Sequence, residues 1–406
     1  TDRGLNRATD DVTRQPGSSI KPLVAYGPGL DTGAITLASA IDDAPYYYSG
    51  TDARLVKNYT EGQYLGYMTV REALTRSQNV PAVKVLTQIT PSVGFSYLEK
   101  FGLSTLVSTK NAINGNHDVV HSLALGGMTK GVCNIDMTAA YAAIANKGTY
   151  TKPIYYTKVL DREGNVIIDN SIPETHRVLK ESSAWLLTSG MESVVNSGTA
   201  TRAKLSNQPV AGKTGTTQFD TDIWFCGFTP YYTCAVWGGY DDNKECDYDT
   251  SFRFRLWKGI MSRIHENLES KDFKVPTSVE KKSICTITGK LATNGCPSIT
   301  EYFAKDTLPS ETCSGHGYSS GRKYKSSTED NDTTKDASSY SNNTGNSYNN
   351  NTGTTSDNTG GNTGGSTGGN TGGSTGGNTG GSTGGNTGGG STGGNTGGST
   401  DGDTSQ

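Results

Sequence analysis

Three short stretches carry side chains able to do covalent chemistry: Ser18-Ser19-Ile20-Lys21, Ser77-Gln78-Asn79 and Lys213-Thr214-Gly215-Thr216. Three positions along a helix put Ser18 and Lys21 on one face, so an ammonium nitrogen can reach a serine hydroxyl. That hydroxyl is a poor nucleophile without a base. Lys21 can serve as one if burial and a second cation lower its pKa, and Lys213 is the candidate second cation. Taken singly, each stretch has a plainer reading: a capping serine before a surface lysine, a polar turn, a strand with a glycine bulge.

The elements that must position them can be read around each stretch. Pro22 has no N–H to give a helix interior, which pins a helix start near Gly17 or Ser18. Residues 69–89 have helical apolar spacing broken at Ser77–Pro81, giving helix, polar loop, helix. Residues 122–148 read as a loop and an Ala-rich buried helix ended by Gly148. A hairpin around Glu163-Gly164-Asn165 spans 155–169, and an amphipathic helix covers 181–196. Strands at 209–217, 222–230 and 232–240 follow with tight connections, then a closing helix at 252–268.

In the order Ser-x-x-Lys, Ser-x-Asn, Lys-Thr-Gly, the three stretches form a set shared by penicillin-binding proteins and serine β-lactamases. The segments "RATDDVTRQPGSSIKPL", "GMESVVNSGTAT", "AGKTGTT", "DIWFCGFTP" and "AVWGGYDD" resemble the transpeptidase domain of class A (bifunctional) penicillin-binding proteins. "CTITGKLATNGCP" resembles the segment that often follows that domain, so the likeness covers residues 1 to about 318. The departures are Ile20 where Phe is usual and Gln78 inside Ser-x-Asn; neither contributes a reacting atom.

The resemblance implies a mixed α/β fold, an antiparallel sheet containing Lys213 packed against helices. It implies acyl transfer at Ser18, with Lys21 as base, Ser77 relaying a proton to the leaving amine, and Asn79 holding both Lys21 and the substrate amide. Gly215 would let the acyl chain lie along its strand, and the N–H groups of Ser18 and Thr216 would form an oxyanion hole. Lys213, Thr214 and Thr216 would receive a terminal carboxylate. The implied partners are peptidoglycan stem peptides (a D-alanyl-D-alanine donor and an amine acceptor) and β-lactams, with no metal or organic cofactor. The implied location is extracytoplasmic, at the outer face of the bacterial membrane and the cell wall. Only 17 residues precede Ser18, whereas the family carries a longer lead-in with sheet strands, a glycosyltransferase domain and a membrane anchor. The expected organisation is an N-terminally incomplete transpeptidase domain at 1–275, a small Cys-containing appendix at 276–318 and a disordered tail at 319–406.

Rival readings are weaker. Gly212-Lys213-Thr214 imitates the end of a P-loop, but position 207 is Asn and a strand follows. A Ser-His-Asp hydrolase lacks a strand-to-helix nucleophile elbow, and His117, His121, His176, His265 and His316 have no supporting context. A β-lactamase needs a deacylating glutamate; Glu192 and Asn196 copy the Glu-x-x-x-Asn spacing but fall on a helix just before Lys213. A D,D-carboxypeptidase or a β-lactam sensor that is acylated without turnover would share the same motifs.

Composition bounds the rest. Residues 327–406 carry seven acidic side chains against Lys335, a net of −6 in a chain of −3, which leaves the body at +3. Neither figure suggests nucleic-acid binding. No run of 18 apolar residues exists to cross a membrane. Among seven cysteines, Cys285 and Cys296 hint at zinc but lack a Cys-x-x-Cys partner, so a disulfide among Cys285, Cys296 and Cys313 is the expectation. From Asn358 onward the chain repeats Gly-Gly-Asn-Thr-Gly-Gly-Ser-Thr, a composition that cannot bury enough apolar surface to order itself. Truncation at Ser327 is therefore expected to leave the rate of acylation by a labelled penicillin and the melting temperature unchanged; a drop in either would show that the tail docks.

Overall fold

In a computed structural model, residues 4, 6–9, 12–48 and 54–315 are described, and the repeat tail lies outside them. The chain is fastened before it reaches its first helix. Arg14 and Val132 exchange backbone hydrogen bonds of 2.9 and 2.8 Å. The Gln15 side chain donates to the Met128 carbonyl and accepts from its N–H, at 2.8 and 3.0 Å.

The helical stretch that follows begins at Gly17, as Pro22 requires, but changes pitch twice. Gly17–Ile20 is a 3₁₀ turn, Pro22–Tyr26 winds at π pitch, and α1 (Gly27–Asp31) is regular. A proline without an N–H leaves the early hydrogen bonds unformed, which permits the wider turn. Leu23, Val24, Ala25 and Tyr26 are fully buried, so this segment is also the middle of the core.

The hairpin β1 (Ala40–Asp43) and β2 (Gly66–Thr69) leads into α2 (Val70–Arg76) and α3 (Asn79–Ile89). The polar loop between these helices is only Ser77 and Gln78, shorter than the sequence suggests. Pro81 lies in the first turn of α3, where a proline costs no hydrogen bond. After α4 (Pro91–Lys100) and a 3₁₀ turn at His121–Leu125 comes α5 (Asn134–Ala145). Met137, Ala140, Tyr141, Ala143 and Ile144 put apolar atoms all around α5, as befits a helix buried on every side. β3 (Thr149–Thr151), the hairpin β4 (Lys158–Leu160) and β5 (Val166–Asp169), and β6 (Thr175–Arg177), which pairs with β3, lead to α6 (Glu181–Ser197).

The central sheet is antiparallel, in the order β7 (Ala211–Thr216), β8 (Asp222–Phe228), β9 (Thr233–Gly239). β8 is buried along its whole length; α5 packs on β8 and β9, α6 on β7, and α7 (Phe252–Ile264) on β8 and β9. On the α7 face, Phe225 meets Trp257 edge-on at 5.1 Å, and Trp257 donates its indole N–H to the Cys234 carbonyl. The fold is thus the expected mixed α/β arrangement, and α7 stops at Ile264 rather than near residue 268.

The appendix is a hairpin of β10 (Val279–Cys285) and β11 (Ser298–Ala304). It is joined to the body by a buried ion pair. Arg71 on α2 holds Glu301 through two hydrogen bonds of 2.6 and 2.7 Å and also donates to Ser189 and Ser193 of α6. Trp185 meets Tyr302 edge-on beside it. Arg71→Ala, which strands a buried carboxylate, is expected to cost about 3 kcal/mol of unfolding free energy. Glu301→Gln should cost less, because the guanidinium keeps its serine acceptors. Denaturant titration of both variants checks this, and the reverse order contradicts it.

Candidate active site

The site is assembled where the 3₁₀ turn, the α2–α3 junction and β7 meet. Gly17 has φ +52°, and a Cβ there would lie 2.6 Å from the Thr216 carbonyl oxygen. Gly215 answers from the strand: its missing Cβ would stand 2.4 Å from the Pro16 oxygen and 3.0 Å from the Ser19 Cβ. Two glycines therefore let the serine turn lie directly on β7. The sequence reading gives Gly215 to the substrate, whereas the space a Cβ would fill is taken by this protein's own backbone.

The two adjacent serines differ. Ser19 is fully buried and donates its hydroxyl to the Pro16 carbonyl at 2.6 Å, while its own carbonyl accepts from Tyr141. Ser18 is half-buried.

Lys21 is fully buried. Its Nζ donates to the Ser77 carbonyl at 2.7 Å, the Asn79 Oδ1 at 2.6 Å and the Gln78 carbonyl at 3.2 Å, with the Ser77 Oγ at 3.5 Å. The carbonyls can face inward because Ser77 takes a left-handed conformation, φ +60°, uncommon for a residue with a side chain. Lys213, also fully buried, reaches the same hydroxyl from β7: its Nζ donates to Ser77 Oγ at 2.7 Å. One serine oxygen thus stands between two lysines.

Their electrostatics follow from that placement. Burial, then the Lys213 charge, holds Lys21 well below the ordinary ammonium range, against the pull of Asp43. Burial, then Arg253, lowers Lys213 to about 7. Asp43 is itself buried, bound by Asn58 Nδ2 at 2.9 Å and the Leu65 N–H at 3.0 Å. Asn58 Oδ1 in turn accepts from the backbone N–H of Asn79 at 3.0 Å, capping α3 where Gln78 makes no side-chain cap. Asn79 spends one amide hydrogen on the Lys57 carbonyl at 2.7 Å, which leaves one for a ligand.

The Lys213 ammonium also donates to the Thr214 carbonyl at 3.1 Å and lies 3.5 Å from the Thr214 hydroxyl. The Thr214 hydroxyl lies 2.9 Å from that of Thr199. Thr216 Oγ1 accepts from Arg253, which also donates to the Gly215 carbonyl. The structure brings Lys21, Ser77, Asn79, Lys213 and Thr214 together and lays the turn that carries Ser18 against Gly215 and Thr216. Sequence reasoning missed Arg253, Asp43 and Asn58. Only Arg253 left a trace, a charged residue at the buried start of "FRFRLW". Glu192 lies on α6 with Arg71 and Asp272 as its charged neighbours, and burial raises its carboxyl to about 7. Among the described residues, no hydrogen bond joins it to Ser18 or Lys21.

Residues 3–253 match the family model for the penicillin binding protein transpeptidase domain, and residues 275–318 match that for the penicillin-binding protein 1A C-terminal domain. Penicillin-binding protein 1A of Clostridium botulinum (strain Langeland) is 37% identical over 326 residues, covering 76% of this chain and 38% of that protein. Penicillin-binding protein 1F of Bacillus subtilis is 34% identical over 302 residues, covering 71% and 40%. The chain therefore spans well under half the length of these curated relatives. Among solved structures, penicillin-binding protein 1A from Haemophilus influenzae matches with a TM-score of 0.64 at 25% identity, over 76% of this chain and 50% of that one. PonA1 from Mycobacterium tuberculosis, solved with penicillin V, matches with a TM-score of 0.59 at 24% identity, over 68% and 75%.

The contrast between the two serines gives a direct expectation. Ser18→Ala should take up no labelled penicillin, while Ser19→Ala keeps most of its labelling. Intact-mass spectrometry reads the adduct, and loss of labelling in Ser19→Ala alone contradicts the assignment.

Proposed function

The chain belongs to the penicillin-binding protein transpeptidase family, and from that we propose that it is a serine D,D-transpeptidase cross-linking peptidoglycan stem peptides through an ester on Ser18. The observation that carries this reading is the Ser77 hydroxyl held by Lys213 at 2.7 Å with Lys21 at 3.5 Å. A hydroxyl set between two buried amines is a proton path, and proton movement is what making and breaking an amide requires.

Ser18 Oγ attacks the carbonyl carbon of the penultimate D-alanine while its proton passes to neutral Lys21. Lys21 can be neutral because burial and Lys213 both disfavour its charge. The Ser18 and Thr216 N–H groups receive the oxyanion, a role supported by the contact of Gly17 with the Thr216 backbone. As the C–N bond breaks, the leaving D-alanine amine takes a proton through Ser77 Oγ, which is restored from the lysine pair. An acceptor amine then attacks the ester and gives its proton to Lys21, which returns it to Ser18 Oγ as the ester C–O bond breaks. Lys213, Thr214 and Thr216, with Arg253 behind them, suit the terminal carboxylate of the donor. β-Lactams would acylate Ser18 in place of the donor.

We place this chemistry outside the cytoplasm, where the stem peptides are, and assign 1–275 to catalysis and 276–318 to a docked accessory module. Water as acceptor would make the same residues a carboxypeptidase.

The two lysines should not be interchangeable. Lys21→Arg cannot deprotonate and should lose roughly 10²–10⁴-fold in acylation rate. Lys213→Arg keeps its charge and should lose much less. Stopped-flow acylation of both variants is the check, and equal mild losses refute the division of roles.

A further inference from the structure

The appendix contains a convergence that the catalytic reading does not use. The sulfurs of Cys285, Cys296 and Cys313 all lie within 4.8 Å of one another. They come from three separate backbone segments: the end of β10, a turn before β11, and the segment after the hairpin, which bridges to Leu291 through Thr312. Each is fixed by backbone hydrogen bonds. Cys285 N–H donates to the Lys290 carbonyl at 2.9 Å, Cys296 N–H to Thr293 at 3.0 Å, and Cys313 N–H to Leu291 at 2.8 Å. Gly295, at φ +86°, makes the turn that presents Cys296.

We propose that Cys285, Cys296 and Cys313 form a three-thiolate site for zinc. Tetrahedral zinc with sulfur at about 2.3 Å requires its ligand sulfurs about 3.8 Å apart, close to the spacing the backbone already provides. A disulfide, the expectation from sequence, accounts for two sulfurs and gives no reason for the third to be held alongside. Three thiolates leave one tetrahedral position, which suits a retained water. On binding, three S–H bonds give their protons to solvent, three Zn–S bonds form, and the ion sheds the rest of its water.

The surroundings fit thiolates. The Lys290 ammonium, paired with Glu311, is near enough to Cys313 for the two to interact electrostatically. Thr293 Oγ1 lies 3.5 Å from Cys296 Sγ and donates to the Cys313 carbonyl at 3.2 Å, an outer partner of the kind that orients metal ligands. The need is also visible. At the far end of the hairpin the buried side chains are Ile284, Cys285 and Cys313, too small a cluster to hold three segments without a cross-link. The near end has no such need, because Val279 and Ala304 join the main core.

The test uses the full chain, purified reduced and without oxygen, incubated with Zn(II) alone, then challenged with a chelator and desalted. One zinc per chain should remain, and Co(II) in its place should give thiolate charge-transfer absorption. Cys296→Ser, chosen because Cys296 sits half-exposed on a turn, should lose the retained metal and the absorption. Cys234→Ser, in the central sheet, should keep both. Penicillin labelling of Ser18 in each variant confirms that the body is folded. Failure of the reduced wild-type chain to retain zinc, or equal retention by wild type and Cys296→Ser, overturns the proposal.

Discussion

Two ammonium groups buried around one hydroxyl are the constraint on which the rest of the structure depends. Lys21 and Lys213 are each without solvent access, and both approach Ser77 Oγ. Water cannot screen their repulsion there, so the cheapest response is for one to give up its proton. That same response supplies a base next to the serine turn.

The arrangement is costly. Lowering Lys213 from 10.5 to about 7 corresponds to on the order of 5 kcal/mol against the charged form. An unfolded chain binds that proton up to about 10.5, the native one only up to about 7, so stability rises with pH across this window. Below it the penalty is complete. Much of the molecule offsets it: the core built on Leu23–Tyr26, the fully buried strand β8, and the Arg71–Glu301 clamp that ties α2, α6 and the appendix together. Local strain is spent at the same place, in the left-handed backbone of Ser77.

Much of this was legible in the sequence because the chemistry restricts residue type. A serine and a lysine at helical spacing, a second serine before an asparagine, and a lysine strand with glycine are each readable as strings, and the helices and strands around them have clean periods. The supporting residues left no such mark. Asp43 and Asn58 act through a fold-back of β1 and the loop after it, and nothing local distinguishes them from surface polar residues. Arg71 and Glu301 lie far apart in the chain and meet only through tertiary packing. The π-pitched turn after Pro22 depends on how the core fills around Tyr26, which periodicity does not encode. The cysteines were visible, but their convergence was not, because it needs the hairpin register of Cys285 against Ser298 and the bridge from Thr312 to Leu291.

The central claim is that burial, with the charge of Lys213 added to it, keeps Lys21 neutral enough to act as base. The most direct measurement is the pH dependence of the second-order rate of β-lactam acylation, in the wild type and in Lys213→Met. The wild-type rate should rise with pH through an apparent ionisation well below the ordinary ammonium range, one that belongs to the lysine pair. Without the second cation, that rising limb should move to higher pH, whatever happens to its height. A limb that begins only where free lysines titrate, or one that stays in place in Lys213→Met, would contradict the account.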